Sequence, residues 1–130
     1  MNKGHITIKE TGHKGFVVEA ELIDGNLWLT KHEIADLFNV FVNTVGNNLR
    51  TIFKSGVLHE ENASSVYSFD RNGKLCSITL YNLETLIFLS YRIASFEAQA
   101  FRKWVMKALN EYTKDHKKNH LRDISIISLN

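Results

Sequence analysis

Within "LTKHEIADLFNVFVNTVGNNLRTIFKSG", Leu29 to Gly56, two amphipathic runs meet at one asparagine. The first run opens on Thr30 and Glu33. These form a capping box, in which hydroxyl and carboxylate each take up an exposed backbone N–H. Ile34, Ala35, Leu37 and Phe38 make its inner face. Asn39 then stops the helix, since asparagine tolerates the left-handed backbone a tight turn requires. The second run, from about Asn43 to Phe53, repeats Val45, Leu49, Ile52 and Phe53 at helical spacing. Ala35 is small where the two helices touch, and Val45 anchors the second helix. This is the spacing of a helix-turn-helix, whose second helix lies in the major groove of DNA. Helical hairpins that bind no DNA satisfy it too.

The outward chemistry of the second helix is nearly uncharged. Phe41, Val42, Asn43, Gly46, Asn47 and Arg50 point outward on this reading, and Thr44 and Asn48 complete the polar set. Asparagine can pair bidentately with adenine, and Phe or Val can touch a thymine methyl. Arg50 and Lys54 would reach phosphates. The competing reading leaves the asparagines merely solvated and packs Phe41 on a neighbouring sheet. Gly46 weakens the helix by roughly 1 kcal/mol relative to alanine, which suits a place where something approaches closely.

The flanks read as small β elements and further helices. Ile6 and Ile8 alternate in HITIK, and Phe16, Val18, Ala20 and Leu22 alternate in FVVEAELI. Asp24-Gly25 is a hairpin signal before LWL, giving an antiparallel β-meander over residues 5–29. Residues 57–65 look like a connector. VYSF and LCSITLY flank Asn72-Gly73, a second hairpin, with Cys76, Ile78 and Leu80 expected on its buried face. After a helix-turn-helix this hairpin would be a wing, with Arg71 and Lys74 at its tip meeting phosphate or the minor groove. It is equally an ordinary polar turn. Asn82 caps a helix to about Arg92, which pauses near Ala94-Ser95. A longer helix follows from Phe96 to about Lys118, with Phe101, Trp104, Val105, Ala108 and Tyr112 inward. Arg102, Lys103, Lys107 and Asn110 are expected outward, and Arg92 and Arg102 are placed to pair with Glu84 or Glu97. The expected fold class is therefore α+β: one domain over residues 1–118, with a β-prone tail over 119–130.

Composition narrows the function. The chain has 130 residues, suited to one domain, and a 44% hydrophobic fraction that can supply a core. No apolar run is long enough to span a bilayer, and MNKGHITIKE has no apolar signal region, so the cytoplasm is the default compartment. The single cysteine, Cys76, forbids an internal disulfide and a multi-cysteine zinc site. Net charge is only +2. Residues 97–130 carry 7 basic and 4 acidic side chains, so the excess sits at the C-terminal end. That excess is either a phosphate-facing surface or a solvated helix end. No enzyme is expected: His32-Glu33 lacks the second histidine of a metalloprotease, and no phosphate loop or nucleophile elbow occurs. His116 and His120 supply two ligands at most, too few for a metal site. No cofactor is implied.

Several uncommon pieces recur in a fixed order: Trp28-Leu29-Thr30, Ala35-Asp36-Leu37-Phe38, Ile52-Phe53 with Gly56, Tyr81-Asn82-Leu83, Tyr91-Arg92, and Phe101-Arg102-Lys103-Trp104. They lie in the segment from Leu27 to Tyr112, about two-thirds of the chain, which resembles the N-terminal region of the RhuM family, called virulence proteins. The layout is also similar to the BRO-type N-terminal domains of phage and viral proteins. The resemblance implies a bacterial DNA-binding protein, often carried on mobile elements, with double-stranded DNA as partner. A transcriptional regulator acting as a homodimer is the corresponding expectation. The chain departs from the family pattern at the turn, where Asn39 replaces glycine, and in the second helix, which reads NTVGNNLR. A protein-interaction module that keeps the fold without DNA binding is the alternative.

Overall fold

The computed structural model describes the backbone of residues 2–127 and the side chains of residues 2–115. It is an α+β fold of two antiparallel hairpins and five helices. Strands β1 (His5–Thr11) and β2 (Gly15–Glu21) pair with Ile6 opposite Ala20 and Ile8 opposite Val18. That register puts the alternating apolar residues on one face, against the core. The third arm of the expected meander leaves this sheet. Asp24 and Gly25 both take positive φ in the turn, and Leu29 then bridges to Tyr81, at the end of the other hairpin. LWL therefore links the two hairpins.

Helix α1 (Lys31–Phe38) starts on the capping box read from the sequence. Thr30 Oγ1 accepts from the Glu33 N–H at 3.1 Å, and Glu33 Oε1 accepts from the Thr30 N–H at 2.9 Å. Lys3 Nζ reaches the same carboxylate oxygen at 2.5 Å. Partial burial pushes the Glu33 carboxyl up, but the Lys3 ammonium and the Thr30 N–H outweigh it and hold the group below its ordinary value. Asn39 is left-handed at φ 54 and ends α1. After Asn39-Val40-Phe41, helix α2 (Val42–Ser55) runs to Gly56, also left-handed.

The connector holds a single helical turn, α3 (Glu60–Ala63). Strands β3 (Ser64–Arg71) and β4 (Lys74–Tyr81) follow, turning at Asn72-Gly73, both with positive φ. The expectation that Cys76, Ile78 and Leu80 are buried as one face holds in full only at Leu80, with Cys76 half-buried. Leu80 is 1% exposed but Ile78 is 36%, while Tyr81, from the opposite face, is buried. The hairpin stands off the body, so only its root enters the core, and beyond the root alternation leaves Cys76 and Phe69 no more than half-buried while Leu75 and Ser77 on the other face are exposed. Tyr67, Ile78, Phe69 and Cys76 share the Leu80 face by register, with Tyr67 stacked on Phe69 at 6.3 Å.

Helix α4 (Leu83–Arg92) begins on Asn82, whose Oδ1 accepts from the Thr85 N–H at 3.0 Å. The first turn of α4 is also tied to the other end of the chain, since Leu83 N–H donates to Asn26 Oδ1 at 3.0 Å. Ile93 ends α4 in extended backbone, and Ser95 Oγ accepts from the Ala98 N–H to start α5 (Phe96–Ile127). The α5 backbone stays helical past Lys118 into the segment expected as a β-prone tail. The side chains of that segment, with His116 and His120, lie outside the described residues. Ala98 and Phe101 are buried and Trp104 and Val105 half-buried, but Ala108 and Tyr112, expected inward, are exposed. The apolar stripe continues past the point where the body ends. Phe101 meets Phe38 edge-to-face at 5.6 Å, so α1 and α5 close the core around Val45, Leu49 and Ile52 of α2 and Leu86 and Leu89 of α4. No described helix is long and apolar enough to cross a membrane.

Candidate nucleic-acid interface

The helix-turn-helix is assembled as its spacing predicts: Ala35 and Val45 are buried and Asn39 makes the left-handed turn. Asn39 and Val40 N–H groups donate to Asp36 and Ala35 carbonyls, which satisfies the end of α1 within the turn. With Val45, Leu49 and Ile52 held inward, the opposite side of α2 is fixed. Asn43, Asn47, Arg50 and Lys54 fall on that side, a stripe about 16 Å long at 1.5 Å per residue. All four are exposed. Arg50 is braced within the stripe by donating to Asn47 Oδ1.

Phe41 stands at the head of the stripe and is 84% exposed. It does not pack on a sheet. It also occupies the N-cap of α2 without a side-chain hydrogen bond, so the first N–H groups of the helix have no side-chain cap. The remaining candidates lie elsewhere. Val42 is half-buried against the core. Thr44 is half-buried, and its carbonyl accepts from Asn48 Nδ2 at 2.9 Å. Asn48 Oδ1 accepts from Arg92 Nε at 3.0 Å, so this asparagine ties α2 to α4. Arg71 and Lys74 face each other across the hairpin tip, exposed, about 23 Å from the root at seven strand residues of about 3.3 Å.

The arginines of the last two helices depart from expectation. Arg92 holds Asn48 rather than a glutamate. Arg102 is half-buried, donates to the carbonyls of Ser90 and Ile93, and lies over the Tyr91 ring at 5.8 Å. It clasps the α4–α5 bend instead of facing solvent. Conversely, Lys31 joins the edge of the α2 stripe, and sequence reasoning missed it. Its Cδ lies 4.0 Å from where a Cβ on Gly46 would sit, and it lines one depression with Gly46, Arg50 and Glu60. Nothing local in the sequence signals this, because only the crossing of α1 over α2 brings residue 31 to residue 46. Tyr81 closes the same depression, stacked on Phe53 at 6.3 Å. Burial pushes its hydroxyl pKa up, and the Glu60 carboxylate adds to that.

Among the described residues no three His, Cys, Asp or Glu side chains gather as a metal-ligand group. The chemistry on offer at α2 is hydrogen-bonding amides, one exposed ring and a few cations. No protein-family model, curated protein or solved structure matches the chain.

Proposed function

We propose that the chain is a double-stranded DNA-binding protein of the RhuM type, working in the cytoplasm as a homodimer and regulating transcription from a mobile element. The observation that carries the proposal is the unobstructed stripe of Phe41, Asn43, Asn47, Arg50 and Lys54 on the second helix of a helix-turn-helix. Asparagine amides suit adenine edges, the Phe41 ring suits a thymine methyl, and Arg50 and Lys54 with Lys31 suit phosphates. Gly46 adds support: among the described residues outside its own helix backbone, the atom near its absent Cβ is a flexible lysine methylene at ordinary contact distance. Internal packing therefore does not require glycine, whereas close approach by a duplex would favour it. The order of the motifs from Trp28 to Trp104 points to the same family.

Titration of labelled duplex DNA at several salt concentrations tests the proposal. Asn47→Ala should weaken binding at sites carrying adenine opposite it, by about tenfold for a lost bidentate contact worth about 1–3 kcal/mol. Arg50→Ala should weaken binding to all sequences. Detected binding that neither substitution alters would remove α2 as the interface.

Exposed Phe41 and the exposed stretch of the hairpin around Tyr67 and Ile78, beyond its root, support a second reading, a protein-interaction module. Capture of a protein partner that persists after nuclease treatment and is lost in Phe41→Asp would favour it over DNA reading.

A further inference from the structure

A groove of about 480 Å³ runs between β2 and α5, away from α2. Its walls carry Lys14, Phe16, Phe96, Lys103, Trp104 and Lys107, and among the described residues no carboxylate lines it. Lys103 and Lys107 are one helical turn apart, a like-charge pair that destabilises a helix rather than supporting it. Lys14 brings a third ammonium from the β1–β2 turn to the same groove. Three converging cations without an acidic partner favour an anion between them. The aromatic side is equally specific. Phe16 and Phe96 stack at 6.1 Å with ring planes 14° apart, which fixes Phe96 while leaving it 71% exposed. Trp104 rests on Phe101 at 5.7 Å and is half-buried, so it too is held from below. Gly15 and Ala100 also line the groove.

We infer that this groove binds single-stranded nucleic acid, with bases stacked on Phe96 and Trp104 and the backbone tracked by Lys14, Lys103 and Lys107. A cationic groove with fixed aromatic platforms is the arrangement that holds unpaired strands without sequence preference. The groove is neither enclosed nor flat, whereas a small-molecule pocket encloses most of its ligand, so a strand that continues beyond the site suits it better than a free nucleotide. A duplex keeps its bases stacked inside and offers no faces to the rings. The site is independent of α2 and of the duplex reading proposed for it.

Fluorescence anisotropy of a labelled twelve-nucleotide thymidine strand with the full chain, in low salt, provides the test. The intact chain should bind saturably. Lys103→Glu with Lys107→Glu should weaken binding at least tenfold, and Phe96→Ala about tenfold through the lost stacking. Circular dichroism confirms that each variant is folded. In a Trp28→Phe background the strand should quench the fluorescence of Trp104, then the sole tryptophan. Arg50→Ala should leave strand binding unchanged, which separates this site from α2 whichever way duplex binding turns out. Absence of saturable strand binding, or strand binding unmoved by the double lysine reversal, overturns the inference. Displacement of the strand by polyglutamate at equal charge concentration overturns it as well, and assigns the groove to an acidic polypeptide.

Discussion

Gly46 is where stability and function pull apart most cleanly. It sits inside α2 without positive φ, and among the described residues outside its own helix backbone a built Cβ meets only Lys31 Cδ, at 4.0 Å. Alanine there should therefore raise stability by up to about 1 kcal/mol, through the better helix propensity alone. Thermal unfolding should register a rise of about 4 °C. On the DNA-reading proposal the same methyl group stands between α2 and the duplex, so affinity should fall as the melting temperature rises. A more stable Gly46→Ala protein with undiminished duplex affinity would move the contact surface elsewhere. Glu33 gives a second residue-level expectation. Its pKa in the folded chain lies below the ordinary 4.5, so the unfolded chain takes up the proton first as pH falls. The stabilisation is complete above about 4.5 and is lost as pH drops through the folded value. Glu33→Gln should flatten that part of the acid dependence, read as the difference in urea midpoint from wild type between pH 6 and pH 3. Local rules made Glu33 legible in the sequence, since the capping box involves neighbours in the chain. Its partner Lys3 was not, because the pairing spans thirty residues.

At the level of elements, the two hairpins show why alternation is an incomplete guide. In β1–β2 the alternating apolar residues face a packed helix, and the sequence pattern matches the observed face. In β3–β4 the same kind of pattern runs beyond the packed body, so Ile78 stays exposed and Cys76 half-buried while Leu80 is buried. Leu80→Ala should cost about 2–5 kcal/mol, the usual range for a buried leucine. Ile78→Ala, two residues along the same face, should cost no more than about 1 kcal/mol, the scale of a cross-strand pair. Denaturant midpoints for the two variants decide this. Equal costs would mean that a cover for this stretch of the face is present in solution. The apolar stripe of α5 fails in the same way after Val105: the helical period is right, but no neighbouring element reaches Ala108. Periodicity identifies the element and its potential inner face. Which part of that face is covered depends on the size of the body it meets. Arg102 departs from its expected outward position for a related reason, because the α4–α5 bend leaves carbonyls at Ser90 and Ile93 that a guanidinium can serve.

Across the whole molecule, eight of the described cations form three groups: Arg50, Lys54 and Lys31 at α2, Arg71 and Lys74 at the hairpin tip, and Lys14, Lys103 and Lys107 in the β2–α5 groove. Sequence order separates some of these residues widely, so the groups emerge only from the fold. The α2 stripe itself was legible, since helical period and buried Val45 and Leu49 determine its outward side. The grouping makes the salt dependence of duplex binding diagnostic. Each phosphate neutralised contributes roughly −0.9 to the slope of log K against log salt concentration. Contact through Arg50, Lys54 and Lys31 alone predicts a slope of about −3. Engagement of the hairpin tip as a wing adds two cations and predicts about −4.5 per protomer. Arg71→Ala with Lys74→Ala should therefore return the slope from about −4.5 to about −3 if the wing grips the duplex, and leave it unchanged if α2 acts alone. Either outcome preserves the reading of α2. A slope near zero with saturable binding would contradict both forms of it, because a helix held in the major groove by these residues has no route to affinity that avoids phosphate contact.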